Sequence, residues 1–523
     1  MAYFPFYLGL VLVILLLMML AKKLRIAYPV LLVLAGLFIS FIPFVPQLHI
    51  DPELIFIIFL PPLLYEAAWA ISWKELWRWR RIISSFAFVV VFITALTVAV
   101  ISNHFIPGFS LALGFLLGGI VSPPDAVSAG AILKFVKIPK RMSSILEGES
   151  LLNDASSLII FRFALIAVAT GQFIWQDAAL NFGWMLAGGI GIGLLIGLLF
   201  MKLHKYLPTD ANTDIIFTLI TPYVIYIAAE ELHSSGVLAV VAGGLFLSNK
   251  RYTFLSSSSR LRGSNFWESL SFLLNGIVFM LIGLDLPEII AGLGSVSILD
   301  ATLYGLLITV VLIISRLIAA YGALIVTLIA RNFIKVADTR NPGLKVPFVL
   351  GWSGMRGVVS LAAALSIPVY LPGGAAFPHR DLILFVTFVV ILLTLLLQGL
   401  SLPYLIRKFN LPDVDQDTSE EEIEAGLRKK MAQLGLEYIN GQCPERLKAQ
   451  PALRQIAAKW RQGEDLEHTN AMTVEVKQVY QEILNRQREW LLEKNSSEAG
   501  LNEDLIRKQL QYLDLEEERL GYI

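Results

Sequence analysis

Glu147-Gly148-Glu149-Ser150-Leu151-Leu152-Asn153-Asp154-Ala155-Ser156-Ser157 runs directly into an apolar stretch, Leu158 to Ala169. At ~100° per residue, Glu149, Ser150, Asn153, Asp154 and Ser157 fall within an arc of about 140°, so an α-helix presents them as one polar stripe. Carboxylates on an otherwise apolar helix are expensive, and this stripe needs a partner or a task.

The rest of the chain makes that helix a membrane helix. Of 523 residues 56% are hydrophobic and only 16% charged, and the mean hydropathy is +0.67. Apolar runs long enough to cross ~30 Å of hydrocarbon recur along the chain. We read thirteen spans, at 4–21, 28–45, 54–71, 83–103, 109–133, 146–170, 182–201, 213–230, 235–248, 267–290, 302–330, 346–367 and 382–406. The strand-length alternation of a β-barrel is absent. A net charge of +0 does not indicate nucleic acid, and the single cysteine, Cys443, gives neither a disulfide framework nor a thiolate metal site. The first run has no basic lead and no small-residue cleavage site after it, so it reads as a span rather than a removed signal.

Loop charge sets the expected orientation. Lys22, Lys23 and Arg25, then Lys74, Arg78, Arg80 and Arg81, then Lys134, Lys137, Lys140 and Arg141 occupy alternate connections, and the pattern continues to Arg331, Lys335, Arg340 and Lys345. Lys and Arg collect on the cytoplasmic side. The reading is therefore N-terminus outside and C-terminus inside, in a cell membrane. Near Asn410 the composition turns polar, with an acidic run from Asp413 through Glu424 and helix-like patterns at 424–440, 451–462, 471–494 and 501–520. This divides the chain into a transmembrane domain, 1–408, and a cytoplasmic helical domain, 409–523. A packed, dimer-supporting tail and a regulatory tail both fit that composition.

Two spans break the rules of a membrane helix. Gly118-Gly119-Ile120-Val121-Ser122-Pro123-Pro124-Asp125 puts two prolines mid-span. Proline removes a backbone donor and disfavours helix in the residue before it. The pattern from Ser122 to Asp125 matches a capping box, which predicts a helix restarting at Pro123. Gly351-Trp352-Ser353-Gly354-Met355-Arg356-Gly357 offers a second interruption. Paired interruptions point to an inverted repeat with unwound backbone lining a transport cavity; a simple proline kink is the plainer alternative.

Buried charge adds further candidates. Arg316 lies mid-span and requires a carboxylate; Glu149 and Asp154 are available, and we pair it with Glu149, which leaves Asp154 open. Arg162 is either a second structural charge or a pore-lining one. Glu66 suits an access funnel or a satisfied interfacial position, and Asp285 the external end of its span. His49, His104, His204, His233 and His379 fall at span ends or in loops and His468 in the tail, so the proton carrier is expected to be a carboxylate. Burial disfavours the charged form of a carboxylate, so proton and cation can compete for one. Asp154, the Ser150 hydroxyl, Asn153 and carbonyls near Ser122 could supply the oxygen ligands of a monovalent cation such as Na⁺.

These features together resemble the monovalent cation/proton antiporters of family 1, the sodium/proton exchangers with their bacterial members, over about residues 5–406. The most specific element is Gly148-Glu149-Ser150 with Asn153-Asp154; Leu60 to Ala68, Ser235 to Leu245 and Gly354-Met355-Arg356-Gly357 support it. The resemblance implies an all-α polytopic fold of about thirteen spans with an inverted repeat and interrupted helices. It implies Asp154 as the ion- and proton-binding residue with Asn153 beside it, Ser150 and Ser122 as cation ligands, and Glu149 with Arg316 as an intramembrane pair. Asp125, Arg356, Glu66 and Ser157 are accessory candidates. It further implies electroneutral exchange of one cation for one proton, a homodimer in the bilayer, no cofactor and no enzymatic activity. Many relatives carry Thr-Asp-Pro where this chain has Ser122-Pro123-Pro124, with Asp125 two residues beyond the usual aspartate. A passive cation channel is the rival reading, though no filter sequence is present; an intramembrane aspartyl protease lacks its G-x-G-D pattern.

Overall fold

The computed structural model describes residues 4–24, 26–42, 52–133, 136, 138–171, 175–294, 296–333, 343–371, 374–411, 420–462, 474–498 and 501–522. Arg25, His49, Lys134, Lys137, Lys335, Arg340, His468 and the acidic run from Asp413 to Ser419 lie outside the described residues. Among the described residues the regular structure is helical, apart from one isolated bridge between Tyr370 and Ala376.

The chain divides into two compact units. The first contains α1 (Phe4–Leu24), α2 (Tyr28–Ser40), α3 (Pro52–Ala70), α4 (Trp73–Ser84), a π-helical turn (Ser85–Val90), α5 (Val91–Phe105), α6 (Leu111–Val121), α7 (Ala126–Leu133) and α8 (Lys140–Thr170). It also holds most of α9 (Trp175–Tyr206), α10 (Ala211–Glu231), α11 (Gly236–Phe254) and α12 (Ser257–Leu284). Then follow α13 (Leu286–Gly292), α14 (Ile298–Ala330), α15 (Lys345–Trp352), α16 (Val358–Leu365) and α17 (Arg380–Phe409). Among the described residues eight helices are long and apolar enough to cross a membrane, and three shorter apolar ones, Tyr28–Ser40, Ile57–Ala70 and Leu111–Val121, accompany them. The protein is a multi-pass membrane protein.

Several helices start earlier than their apolar runs. The expected span at 83–103 belongs to a helical stretch that begins at Trp73, because the basic segment before it is an amphipathic helix rather than a loop. Ser72 caps it, its hydroxyl accepting the Glu75 N–H at 3.2 Å, and Leu76, Trp79 and Ile83 form the buried side. A π-turn follows, and the hydroxyl of Ser156 on α8 donates to the Ala87 carbonyl inside it. The wide turn thereby has a partner for a carbonyl that an α-helix would have used internally.

Both expected interruptions are present. α6 ends at Val121 and α7 begins at Ala126; α15 ends at Trp352 and α16 begins at Val358. The cap expected at Ser122 is not formed. Ser122 instead closes α6, its N–H donating to the Gly118 carbonyl at 2.9 Å. Asp125 starts α7, with Oδ2 accepting from the Ser128 N–H at 3.3 Å and from its hydroxyl at 2.6 Å. The reason is geometric. Pro124 holds Pro123 out of the helical region, and the Asp125 N–H that a Ser122 cap would need donates to the Met355 carbonyl at 2.8 Å.

The second unit comprises His204–Ile216, Arg251–Phe266 and Val414–Ile523. Its helices are α18 (Glu420–Gln442), α19 (Pro444–Ala449), α20 (Pro451–Gln462), α21 (Val474–Ser497) and α22 (Glu503–Tyr522). They bury Leu427, Met431, Ile439, Ile456, Ile483 and Leu510 in a common core. Polar contacts tie the unit's segments together. Arg260 and Arg488 both grip Asp514, and Ser257 donates to Glu517. Nδ1 of His204 lies 2.7 Å from Asp214, whose other oxygen accepts from the Ser259 hydroxyl at 2.6 Å.

Candidate functional site

The two breaks meet. The Asp125 N–H to Met355 carbonyl bond joins the unwound segment after α6 to the one after α15. Glycine makes so close an approach feasible at two positions. A Cβ on Gly357 would overlap the Asp125 carboxylate, and one on Gly354 would overlap the side chain of Arg316. Backbone groups at such a crossing lack helical partners, so carbonyl oxygens become available inside the membrane region.

α8 passes beside the crossing and brings its polar stripe to it. The Asn153 side-chain NH₂ donates to the Pro124 carbonyl at 2.9 Å, and the Ser150 hydroxyl faces the same oxygen at 3.5 Å. Oδ1 of Asn153 and Oγ of Ser122 are buried, with no hydrogen-bond partner among the described residues. Asp154 is 7% exposed, and its carboxylate has no hydrogen bond among the described residues. It lies within electrostatic reach of Asp125. The Ser157 hydroxyl donates to the Asp154 main-chain carbonyl at 3.1 Å and so does not present its proton to the site.

The neighbouring carboxylate is in a different state. Glu149 receives both prongs of Arg316, at 2.7 and 2.9 Å, and the two residues are 1% and 2% exposed. This bidentate geometry is the strong form of the interaction. Arg356 is also fully buried; its main-chain N–H donates to the Thr394 hydroxyl at 3.2 Å, while Nε and Nη1 have no partner among the described residues. It stands close enough to Glu149 and Arg316 to feel both charges.

Other candidates are placed apart from this cluster. Glu66 on α3 is half-buried, and the Tyr28 hydroxyl lies within electrostatic reach of both Glu66 and Asp125. Arg162 forms an ion pair with Glu230 on α10, whose second oxygen accepts the Gly236 N–H at 3.0 Å. Sequence reasoning offered no carboxylate for Arg162, since Glu230 sits at the end of its helix, where nothing in the local pattern singles it out. Tyr28, Met355 and Thr394 were likewise missed, because a main-chain carbonyl or a lone hydroxyl leaves no mark on a pattern of charge and hydropathy. No group of three or more His, Cys, Asp or Glu suited to a resident metal occurs among the described residues.

Residues 9–408 match the model of the sodium/hydrogen exchanger transmembrane family. A sodium, potassium, lithium and rubidium/H⁺ antiporter of Bacillus pumilus is 36% identical over 392 residues, 73% of this chain and 58% of the relative. The chain therefore spans little more than half of that relative's length. A low-affinity Na⁺/H⁺ antiporter of Synechocystis, NhaS1, is 33% identical over 78% of this chain and 75% of its own. Among solved structures, the sodium proton antiporter MjNhaP1 of Methanocaldococcus jannaschii superposes with a TM-score of 0.62, covering 77% of this chain and 97% of its own at 20% identity. At that identity the likeness speaks for the fold.

Proposed function

The chain belongs to the sodium/hydrogen exchanger family, a family of transporters rather than enzymes, and from that premise we propose that it exchanges a monovalent cation, Na⁺ first, for H⁺ across the cell membrane by competition at Asp154. The observation that carries this reading is the contrast between two carboxylates about 1.4 helical turns apart. Glu149 is neutralised by Arg316, while Asp154 is buried without a hydrogen-bond donor among the described residues. A carboxylate in that situation can hold a proton or join a cation's oxygen shell, but one occupant excludes the other. The Ser150 hydroxyl, the Asn153 Oδ1 and the unwound carbonyl of Pro124 are oxygens gathered at the same crossing. Ser122 Oγ adds a fourth. Ser and Asn oxygens with main-chain carbonyls suit a hard monovalent ion.

One carboxylate that takes one cation or one proton favours electroneutral exchange, because the Glu149–Arg316 pair contributes no net charge. Asp125 is engaged at the start of α7, so its role is to hold the crossing and to set the local field rather than to act as the primary ligand. Loop charge supports an N-terminus outside and a helical tail inside the cell. The antiporter names of the relatives support Na⁺, with K⁺ and Li⁺ as further candidates, and a homodimer is the assembly that we adopt. The test is purified protein in liposomes carrying an acidic-inside pH gradient. Addition of Na⁺ should dissipate the gradient with wild-type protein and leave it intact with Asp154→Asn. Equal dissipation by that variant, or Na⁺ flux without opposing proton movement, would overturn the reading.

A further inference from the structure

Arg162 and Glu230 stand apart from the crossing, and competition at Asp154 leaves them without a task. Arg162 lies about two turns beyond Asp154 on α8, roughly 12 Å along the axis, with Leu158 between them on a face about 80° wide. Its guanidinium pairs with Glu230 at the end of α10. Lys140 and Arg141 begin α8, so loop charge turns the Arg162 end toward the outside. At the basic end a cavity of about 260 Å³ opens between α7 and α8, with Leu133, Ile138, Leu146 and Glu147 in its wall. The two ends of the helix therefore differ: one borders open space, and the other is tied to a neighbour.

The tie joins two groups of helices. α8 packs with α4, the π-turn, α5, α6 and α7, the group that carries the crossing. α10 is held by other elements. Tyr223 on it donates to the Ile58 carbonyl of α3 at 3.1 Å, Thr218 accepts from Trp267 of α12 at 3.2 Å, and the Leu232 carbonyl just beyond it accepts from Trp184 of α9 at 3.2 Å. Glu230 is positioned from that side. One oxygen accepts the Gly236 N–H at 3.0 Å, and the absence of a side chain at Gly236 makes this feasible, since a Cβ there would crowd Tyr226 and Glu230 itself. The other oxygen meets Arg162. α3 touches both groups, and the ion pair ties them at the outer end.

Transporters expose a site to alternate sides largely by rocking one bundle against another. A contact between the bundles at one end must then open once per cycle, and a strong one would stall it. The Arg162 and Glu230 side chains are 40% and 28% exposed, and ion pairs wetted to that degree are weak. Such a pair biases a conformational equilibrium without fixing it.

We propose that the Arg162–Glu230 pair is an outer latch. Closed as it is here, it holds α8 against α10 and shuts the approach to Asp154 from the outside; it parts when Asp154 faces that side. The proposal rests on the exchange reading and its N-terminus-outside orientation, and adds the contact that separates the two access states. Leu158, midway between Asp154 and Arg162, is uncovered when the latch parts.

The test is labelling of a Cys443→Ser, Leu158→Cys protein in right-side-out vesicles by a membrane-impermeant maleimide added outside. Leu158 is half-buried, and Cys443 is the chain's own single cysteine. Ser157→Cys, at a buried neighbouring position, is the second reporter, so misfolding of one leaves the test standing. With the latch intact labelling should be slow. Arg162→Gln, and Glu230→Gln, which keeps an acceptor for Gly236, should each speed it by up to about fivefold, the most that an exposed pair supplies. Arg162→Lys keeps the charge and should stay slow. Unchanged labelling in both neutral variants, an equal gain in Arg162→Lys, or a gain seen only with reagent on the inner face would overturn the latch. Labelling needs no exchange, so the two readings fail differently. A failed latch leaves Na⁺-driven dissipation of the pH gradient in place with labelling unmoved, and a failed exchange reading does the reverse.

Discussion

Arg316 on α14 meets Glu149 on α8 in a two-pronged ion pair, at 2.7 and 2.9 Å, across 167 residues of sequence. Both groups are almost completely buried. Removing two charges from water is costly, and their attraction recovers that cost only with good geometry. The pair is therefore better understood as something dangerous to break than as a large net source of stability. Glu149→Gln or Arg316→Gln alone should destabilise the protein by about 3–5 kcal/mol, since each leaves an uncompensated buried charge. The double variant should lose less than the sum of the two. Thermal unfolding of the four proteins in one detergent measures the coupling, and strictly additive losses would remove the ion pair from the account.

Gly357 lets the two broken helices touch. A Cβ there would run into the carboxylate of Asp125, a residue fixed on one side by Ser128, which donates to that carboxylate, and on the other by its main-chain N–H, which donates to the Met355 carbonyl. Gly357→Ala should therefore displace the crossing and lower stability by about 1–3 kcal/mol, the usual penalty of overpacking, with loss of exchange. Gly191→Ala on α9, where a Cβ meets nothing within 4 Å, is the matched control and should be neutral or slightly stabilising. Normal exchange by Gly357→Ala would show that the crossing can be loosened without consequence.

Much of this site could be read from residue types. The stripe from Glu149 to Ser157 and the prolines at 123 and 124 are local signals, and each broke a strong rule of membrane helices. The Glu149–Arg316 match followed because an isolated guanidinium in hydrocarbon must find a carboxylate. The details that escaped were tertiary. Asp125 caps α7 in place of Ser122, because the N–H that would complete a Ser122 cap is claimed by Met355, more than two hundred residues away. The partner of Arg162, Glu230, was not singled out, because only the tertiary arrangement brings it from α10 to α8. Helix α4 hid in a basic segment, since twelve residues with a polar face resemble a loop when only hydropathy is scanned.

The Arg162–Glu230 pair permits an asymmetric prediction. Its side chains are 40% and 28% exposed, so the ion pair by itself is worth under about 1 kcal/mol. Glu230 does a second job, accepting the N–H of Gly236 at the start of α11. Arg162→Ala should therefore be nearly silent in thermal unfolding, whereas Glu230→Ala should cost about 1–2 kcal/mol more by orphaning a helix-start donor. Equal effects would mean that the Glu230 cap contributes nothing.

In the helical unit of the tail, Glu517 sets a pH dependence of known sign. Burial alone would raise its carboxyl, but hydrogen bonds from Ser257 and Arg488, with the charges of Arg488 and Arg260, outweigh burial and hold it below the ordinary glutamate range. Arg488 approaches it at 2.5 Å and reaches Asp514 at 3.1 Å, so the carboxylate is one corner of a shared cluster. A group depressed in the folded state binds its proton more readily when unfolded. Its contribution is therefore complete above the unfolded value of about 4.3 and disappears as pH falls through the lower folded value. Amide exchange of α22 in the 523-residue chain, corrected for the intrinsic pH dependence of exchange, should show protection that declines on acidification below that unfolded value. Glu517→Gln should weaken protection at neutral pH and flatten its dependence over the same interval. A variant as strongly pH-dependent as wild type would place the responsible proton on another member of the cluster.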